Sequence, residues 1–164
     1  MTKTVSIVIG SESDLDLANK CADTLDSLSI SNSIQVLSAH RTPGLLETHV
    51  RECESGGTKV FVAMAGLAAH LAGAVASKTV LPVIGVPGDG GPLSGMDALL
   101  STVQMPKGIP VATVAIGSAG ASNAAYLAAQ ILGVESEEVR NSLIKVREDG
   151  VEAIKESNKK LSNS

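Results

Sequence analysis

The chain has 164 residues, the length of one domain with room for a sizeable core. Hydrophobic residues make up 44% and charged residues 18%, which excludes an intrinsically disordered chain. The formal net charge of −4 gives no basic footprint, so a nucleic-acid partner is not indicated. Phe61 and Tyr126 are the whole aromatic content beside no Trp, so the core must be built from small and branched aliphatics.

The pattern alternates strand and helix. Val5–Ile9 is a continuous apolar run ending at Gly10, the mark of a strand buried on both faces. A helix is predicted from Asp14 to Leu28, with Ser13 or Asp14 as its cap. A second strand follows over 33–37. The next helix runs from Pro43 to Ser55, with Pro in its first turn and Gly56-Gly57 as its stop. A third strand is predicted over 59–65 and a short helix over Ala68–Ser77. The fourth strand covers 81–86, with Pro82 at its beginning. A helix over Ser94–Val103 stops before Pro106. A fifth strand covers 110–116, then an Ala-rich helix runs from Gly120 to Leu132. A long charged helix spans 135–161, with Gly150 as the place for an interruption and a frayed end over 157–164. Five strands separated by helices give a three-layer, doubly wound α/β domain with a parallel sheet and a long C-terminal helix. The whole chain, 1–164, reads as this one domain.

Charge is unevenly spread. Residues 135–164 hold 13 of the 30 charged residues, whereas residues 56–134 hold only Lys59, Lys78, Asp89, Asp97 and Lys107. Seventy-nine residues with so few charges cannot supply their share of a monomer's polar skin, so a homo-oligomer with a large interface is expected. Val60–Ser77 carries no charge, but its Ala- and Gly-rich second half with His70 reads as strand, loop and short helix rather than a membrane span. Val5–Ile9 is too short for the apolar region of a signal peptide. Cys21 and Cys53 lack metal-ligand or CxxC spacing and are expected as free thiols of a cytoplasmic protein.

In a doubly wound sheet the ligand lies outside the carboxyl ends of the strands, so the segments after each strand should hold the chemistry. Gly10-Ser11-Glu12-Ser13-Asp14 joins a strand to a helix N-terminus and offers free N–H groups and two hydroxyls to an anion; simple capping is the rival reading. It is neither a Walker loop nor GxGxxG. Ser38-Ala39-His40-Arg41 sets an imidazole that can exchange a proton beside a guanidinium that can grip a phosphate. His70, in an almost wholly apolar stretch, is either catalytic or a structural histidine bonded to backbone. His49 is expected to be solvated or packed. No HxH or HExxH spacing occurs, so no metal site is expected. The loop over 88–95, with four glycines, and the turn over 117–123 can each approach a ligand closely.

These residues together resemble a known family. GSESD, SAHRTP, AGLAAHLAG, LSGMDALLSTVQMPKGIPVATVAIG and AGASNAAYLAAQIL look like the PurE family of purine biosynthesis, in order from about Val5 to Leu132. Arg-Thr-Pro after Ser-Ala-His, and Ala-Ala-His-Leu, resemble its class I, the N5-carboxyaminoimidazole ribonucleotide mutases. Class II members carboxylate aminoimidazole ribonucleotide directly with CO2. The resemblance implies a flavodoxin-like fold and an isomerase that moves a carboxylate from the exocyclic nitrogen to C4 of the imidazole through trapped CO2, with no cofactor. It implies ribonucleotide binding by Ser11, Asp14 and Arg41, with Ser38 and Ala39 lining the site. It makes His40 the general acid/base and places His70 with the Gly66–Gly73 loop, including Ala68 and Leu71, around the CO2 pocket. Ala69 and Ala72 are expected in the same apolar wall. The family's class I loop usually reads Gly-Gly-Ala-Ala-His-Leu-Pro-Gly; here Leu67 stands for the second Gly and Ala72 for the Pro. A homo-octamer is implied, as is an ATP-dependent synthetase elsewhere to supply the substrate. The alternatives are the CO2-dependent carboxylase and a non-catalytic nucleotide-binding oligomer.

Overall fold

A computed structural model describes residues 3–162. Five parallel strands form one sheet in the order β2-β1-β3-β4-β5. The strands are β1 (Val5–Ile9), β2 (Asn32–Val36), β3 (Val60–Ala65), β4 (Val83–Pro87) and β5 (Ala112–Thr113). The helices are α1 (Leu15–Ser27), α2 (Pro43–Gly56), α3 (Leu71–Ala76), α4 (Met96–Val103), α5 (Gly117–Leu132) and α6 (Glu137–Ser162). A 3-10 turn over Glu12–Asp14 leads into α1. This is the expected doubly wound sheet, and the order in which strands are added reverses between β1 and β3.

β1, β3 and β4 are buried from end to end apart from the partly exposed Ala65, which explains their uninterrupted apolar sequences. Their side chains divide between two cores. On one face Ile7, Ile9, Val62, Met64 and Val86 meet α1 and α5. The fully buried residues of α5 there are all small, Ala121, Ala124, Ala125, Ala128 and Ala129, with the partly buried Tyr126, Leu127, Ile131 and Leu132 packed around them. On the other face Val8, Phe61 and Ala63 meet Leu46 and Val50 of α2 and Leu71 and Val75 of α3. Phe61 is fully buried and is the largest side chain in either core; burial of such a ring stabilises by roughly 1.5–3 kcal/mol.

Several boundaries differ from the sequence expectation. β5 is two residues long rather than seven: Pro110 has no N–H to give, and after Thr113 one further bond, Val114 N–H to the Gly85 carbonyl at 3.0 Å, ends the pairing. α3 starts at Leu71 rather than Ala68, because the chain before it is taken up by two tight turns, with Ala69 N–H donating to Leu67 O at 2.8 Å and His70 N–H to Ala68 O at 2.7 Å. α5 starts at Gly117, three residues earlier than expected. α6 passes through Gly150 without a break and continues to Ser162, so within the described residues its end is helical rather than frayed; 163–164 lie outside them. A single exposed Gly costs a helix about 1 kcal/mol, too little to interrupt 26 residues that also carry a Lys155–Glu152 pair at 2.7 Å. Val139 and Leu143 seat α6 on the first core, while Val151 and Ile154 stay exposed.

The uncharged stretch 60–77 is β3, a turn and α3. No helix of the described residues is long and apolar enough to cross a membrane.

Candidate active site

At the carboxyl ends of β1, β2, β3 and β4 lies a cleft of about 840 Å³, at the switch point of the sheet. Every residue singled out as catalytic or substrate-binding from the sequence lines it: Ser11, Asp14, Ser38, Ala39, His40, Arg41, Gly66, Ala68, His70 and Leu71. Three different loops, those after β1, β2 and β3, supply them, so only the folded sheet brings them together.

The side over β1 and β2 is joined by hydrogen bonds. Ser11 N–H donates to Asp14 Oδ2 at 3.3 Å, and the hydroxyls of Ser11 and Ser13 meet at 2.5 Å. Burial raises the Asp14 carboxyl above its ordinary value, and its hydrogen bonds with Ser11 oppose that rise. The turn after β2 is closed by Thr42 Oγ1, which accepts from Ser38 N–H at 3.0 Å and donates to Ser38 O at 3.1 Å. Ser38 Oγ accepts from Arg41 N–H at 3.1 Å. Arg41 Nη2 then reaches across to the Gly10 carbonyl at 3.0 Å. That bond fixes the guanidinium beside Ser11 and leaves its other N–H donors free for an anion. The serine loop and the arginine loop thus form one cationic corner with hydroxyls around it.

The side over β3 and β4 is built from backbone and apolar groups. Gly88 N–H donates to Ala65 O at 2.9 Å, and a Cβ at Gly88 would lie 3.2 Å from both N and Cα of Gly66. Leu67 is the notable residue here. Its φ is +55°, a left-handed conformation that costs a branched side chain about 1–2 kcal/mol, yet its side chain is 55% exposed. The expected apolar wall is only partly right. Gly66, Leu67, Ala68 and Leu71 border the cleft, but Ala69 and Ala72 are turned away from it and are 3% exposed. Ala72 packs in the core under α3.

His40 and His70 meet where the two sides join. Their rings stack with centroids 6.1 Å apart and planes 17° from parallel, and both residues are exposed to the cleft. His70 thus faces the cleft beside His40. His49 lies elsewhere: it is half-buried on α2, its Nε2 2.9 Å from the buried Ser6 Oγ and 3.4 Å from Cys53 Sγ. Burial holds its imidazole below the ordinary value. It is a packing residue, the second of the two roles open to it.

Sequence reasoning did not single out Asp16 and Leu17, which also border the cleft. They sit in the first turn of α1, one step beyond the loop searched. Asp89 and Ser118 complete the far wall, and both lie in segments flagged for glycine. Asp89 Oδ2 lies only 2.9 Å from where a Cβ on Gly117 would be, so Gly117, at φ +71°, leaves room for that carboxylate. Among the described residues no three His, Cys, Asp or Glu side chains gather as metal ligands.

The comparisons with known proteins agree with this geometry. The family described as AIR carboxylase matches residues 4–153. An N5-carboxyaminoimidazole ribonucleotide mutase of Pseudomonas aeruginosa is 49% identical over 154 residues, 94% of each chain. The mutase of that name from Bacillus subtilis is 47% identical over 161 residues, 98% of this chain and 99% of its own. Among solved structures, that of Treponema denticola PurE superposes with a TM-score of 0.87 at 31% identity, covering 96% of this chain and 97% of its own. With residues 4–153 matched by the family model and relatives and a solved structure matched over nearly the whole length, the chain belongs to the AIR carboxylase (PurE) family.

Proposed function

We propose that the protein is an N5-carboxyaminoimidazole ribonucleotide mutase, an isomerase of purine biosynthesis that produces 4-carboxy-5-aminoimidazole ribonucleotide. The single observation that carries this reading is the cleft itself: a cationic, hydroxyl-rich corner and an apolar wall face each other across two stacked histidines. A phosphorylated nucleotide with a carboxylate to relocate needs all three parts.

The chemistry follows from the substrate. A carboxylate on the exocyclic nitrogen is a carbamate; protonation of that nitrogen breaks the N–C bond and frees CO2. The electron-rich ring carbon C4 then forms a C–C bond to CO2, and loss of the C4 proton restores the ring. The proton given to nitrogen and the proton taken from C4 balance, so one imidazole can serve both steps. His40 fills that role, because it stands at the seam beside the cationic corner. Arg41, with Ser11 and the N–H groups leading into α1, supports binding of the phosphate. Asp14, whose carboxyl is anchored by Ser11, suits the ribose hydroxyls. Ser38 and Ala39 border the ring between them, and His70 with Gly66, Ala68 and Leu71 surrounds the migrating CO2. An apolar wall matters because water would hydrate the free CO2.

The same reading includes a homo-oligomer, an octamer by family resemblance. α4 exposes Met96, Leu100 and Val103, preceded by exposed Leu93, in the charge-poor half of the chain. A cytoplasmic setting fits Cys21 and Cys53, which are both free thiols. A separate ATP-dependent synthetase would supply the labile carbamate.

The test uses purified protein, no ATP and each substrate in turn. Conversion of N5-carboxyaminoimidazole ribonucleotide without added bicarbonate is expected. Turnover solely of aminoimidazole ribonucleotide with CO2 would make the protein the direct carboxylase instead. No turnover of either, with nucleotide still bound, would leave a binding protein.

A further inference from the structure

Two local oddities in the cleft explain each other. Leu67 is one of three residues other than glycine with positive φ in the described chain, and its side chain points away from both cores. A strained backbone persists when its surroundings over-determine it. Part of that determination is the pair of turns closed by Ala69 and His70 N–H groups, which fix the Leu67 carbonyl and its neighbour. The rest lies across the cleft. Gly91, at φ +87°, has no side chain where one would strike Leu67: a Cβ there would lie 2.5 Å from Leu67 Cδ2. The isobutyl group therefore rests on the bare Cα of Gly91, in the loop that joins β4 to α4.

The backbone below makes the same contact. Gly88 abuts Gly66, and its N–H is bonded to Ala65 O. Two loops are thus held together at two levels, by Gly88 on Gly66 near the sheet and by Leu67 on Gly91 toward solvent. All four residues border the cleft, and Leu67 lies three positions before His70. The upper contact is the apolar one, made by a side chain that lines the cleft and is itself 55% exposed to water.

We propose that Leu67 is a positioning residue for the carboxylate transfer: its side chain, seated on Gly91, latches the 88–95 loop over the cleft and retains the CO2 released from the carbamate beside C4. The proposal rests on the mutase reading above. Leu67 takes no part in making or breaking bonds. Its contribution is to set the ratio between two fates of CO2, capture by C4 and escape to solvent, where it hydrates to bicarbonate and leaves aminoimidazole ribonucleotide behind. A small apolar molecule is held by a small apolar barrier, which in this chain is the Leu67 side chain on the bare Gly91.

The experiment is an isotope partition. Wild type, Leu67→Gly and Leu67→Ala each convert unlabelled N5-carboxyaminoimidazole ribonucleotide in buffer containing 13C-bicarbonate and carbonic anhydrase. Mass spectrometry of the product gives the fraction carrying solvent-derived carbon, and chromatography gives the aminoimidazole ribonucleotide released. Wild type should keep the substrate's own carbon. Both variants should raise labelled product and released amine about tenfold relative to turnover, as loss of ~1.4 kcal/mol of escape barrier gives, with little change in KM. Leu67→Gly removes the left-handed strain and should melt at or above the wild-type temperature, so a loss of retention would not reflect loss of fold. Leu67→Ala provides the same comparison with a Cβ kept. A wild-type enzyme that turns over while both variants partition CO2 as it does would overturn the latch and leave the mutase reading intact. A wild-type protein that does not isomerise the substrate would overturn the mutase reading and the latch with it.

Discussion

The corner of the cleft over β1 and β2 is fixed by hydrogen bonds between side chains and backbone, whereas the wall over β3 and β4 is fixed by close approach of glycine backbone. Arg41, Ser38, Thr42, Ser11 and Asp14 make a connected polar set in which each group positions the next. Gly66, Leu67, Gly88 and Gly91 make no such side-chain set; beyond backbone bonds such as Gly88 N–H to Ala65 O they are placed by what fits against what. The two constructions fail differently. A polar set is damaged by removing a group, because a partner is left unpaired. A close-packed wall is damaged by adding one, because there is no space to yield.

The sharpest break should come where the two meet. His40→Asn is expected to lower kcat by roughly 10²–10⁴, the usual worth of a general acid/base, with nucleotide affinity retained; steady-state kinetics and ligand titration check both. Within the polar corner, Arg41→Ala should weaken substrate binding by about 1.5–3 kcal/mol, the range for hydrogen bonds to charged groups. Isothermal titration with the nucleotide would read it, and unchanged affinity would remove Arg41 from the phosphate site. Within the apolar wall, Gly91→Ala should lower stability by about 1–2 kcal/mol through its left-handed backbone alone, with added displacement of Leu67; denaturant melts would show it. Gly90→Ala, where a Cβ meets nothing within 4 Å, is the matched control.

The smallest effect concerns neither side and serves as a baseline. Burial lowers the His49 value below the ordinary 6.5, so between the two values the unfolded chain binds more protons than the folded one. Stability should therefore be fullest above about pH 6.5 and decline as pH falls through that window. His49→Gln should flatten this slope in urea melts across pH 5–7.5, whatever it does to stability at neutral pH. A slope unchanged by the substitution would assign the acid sensitivity to other groups.

The two constructions were unequally legible in the sequence. Ser, Asp, His and Arg after strand ends announce themselves by chemistry, and the sheet topology places strand ends together, so the polar corner could be read before any coordinates. The strands were legible for the same kind of reason: Val5–Ile9 and Val60–Ala65 are apolar throughout because both faces are covered. The apolar wall was readable only as a composition. That Ala68 borders the cleft while Ala69 and Ala72 do not depends on two consecutive tight turns, and nothing in a run of alanines encodes a turn. β5 was overestimated because Val111, Val114 and Ile116 have strand-like residue types, whereas its length is set by where the chain must leave the sheet to enter α5. Gly150 does not interrupt α6, since a local propensity of this size yields to the continuity of a long helix.

The five buried alanines of α5 have one more consequence. A methyl group has no rotamers to lose, so the fully buried face of this helix docks on α1 and the sheet with no side-chain entropy to overcome at those five positions. A helix held that way behaves as a gauge of fixed thickness. Ser118 in its first turn forms part of the cleft's far wall, and Gly117 before it abuts Asp89. The poverty of large side chains on this face therefore sets the width of the cleft opposite the histidines, and a single larger residue such as Ala125→Leu would reset that width from a distance.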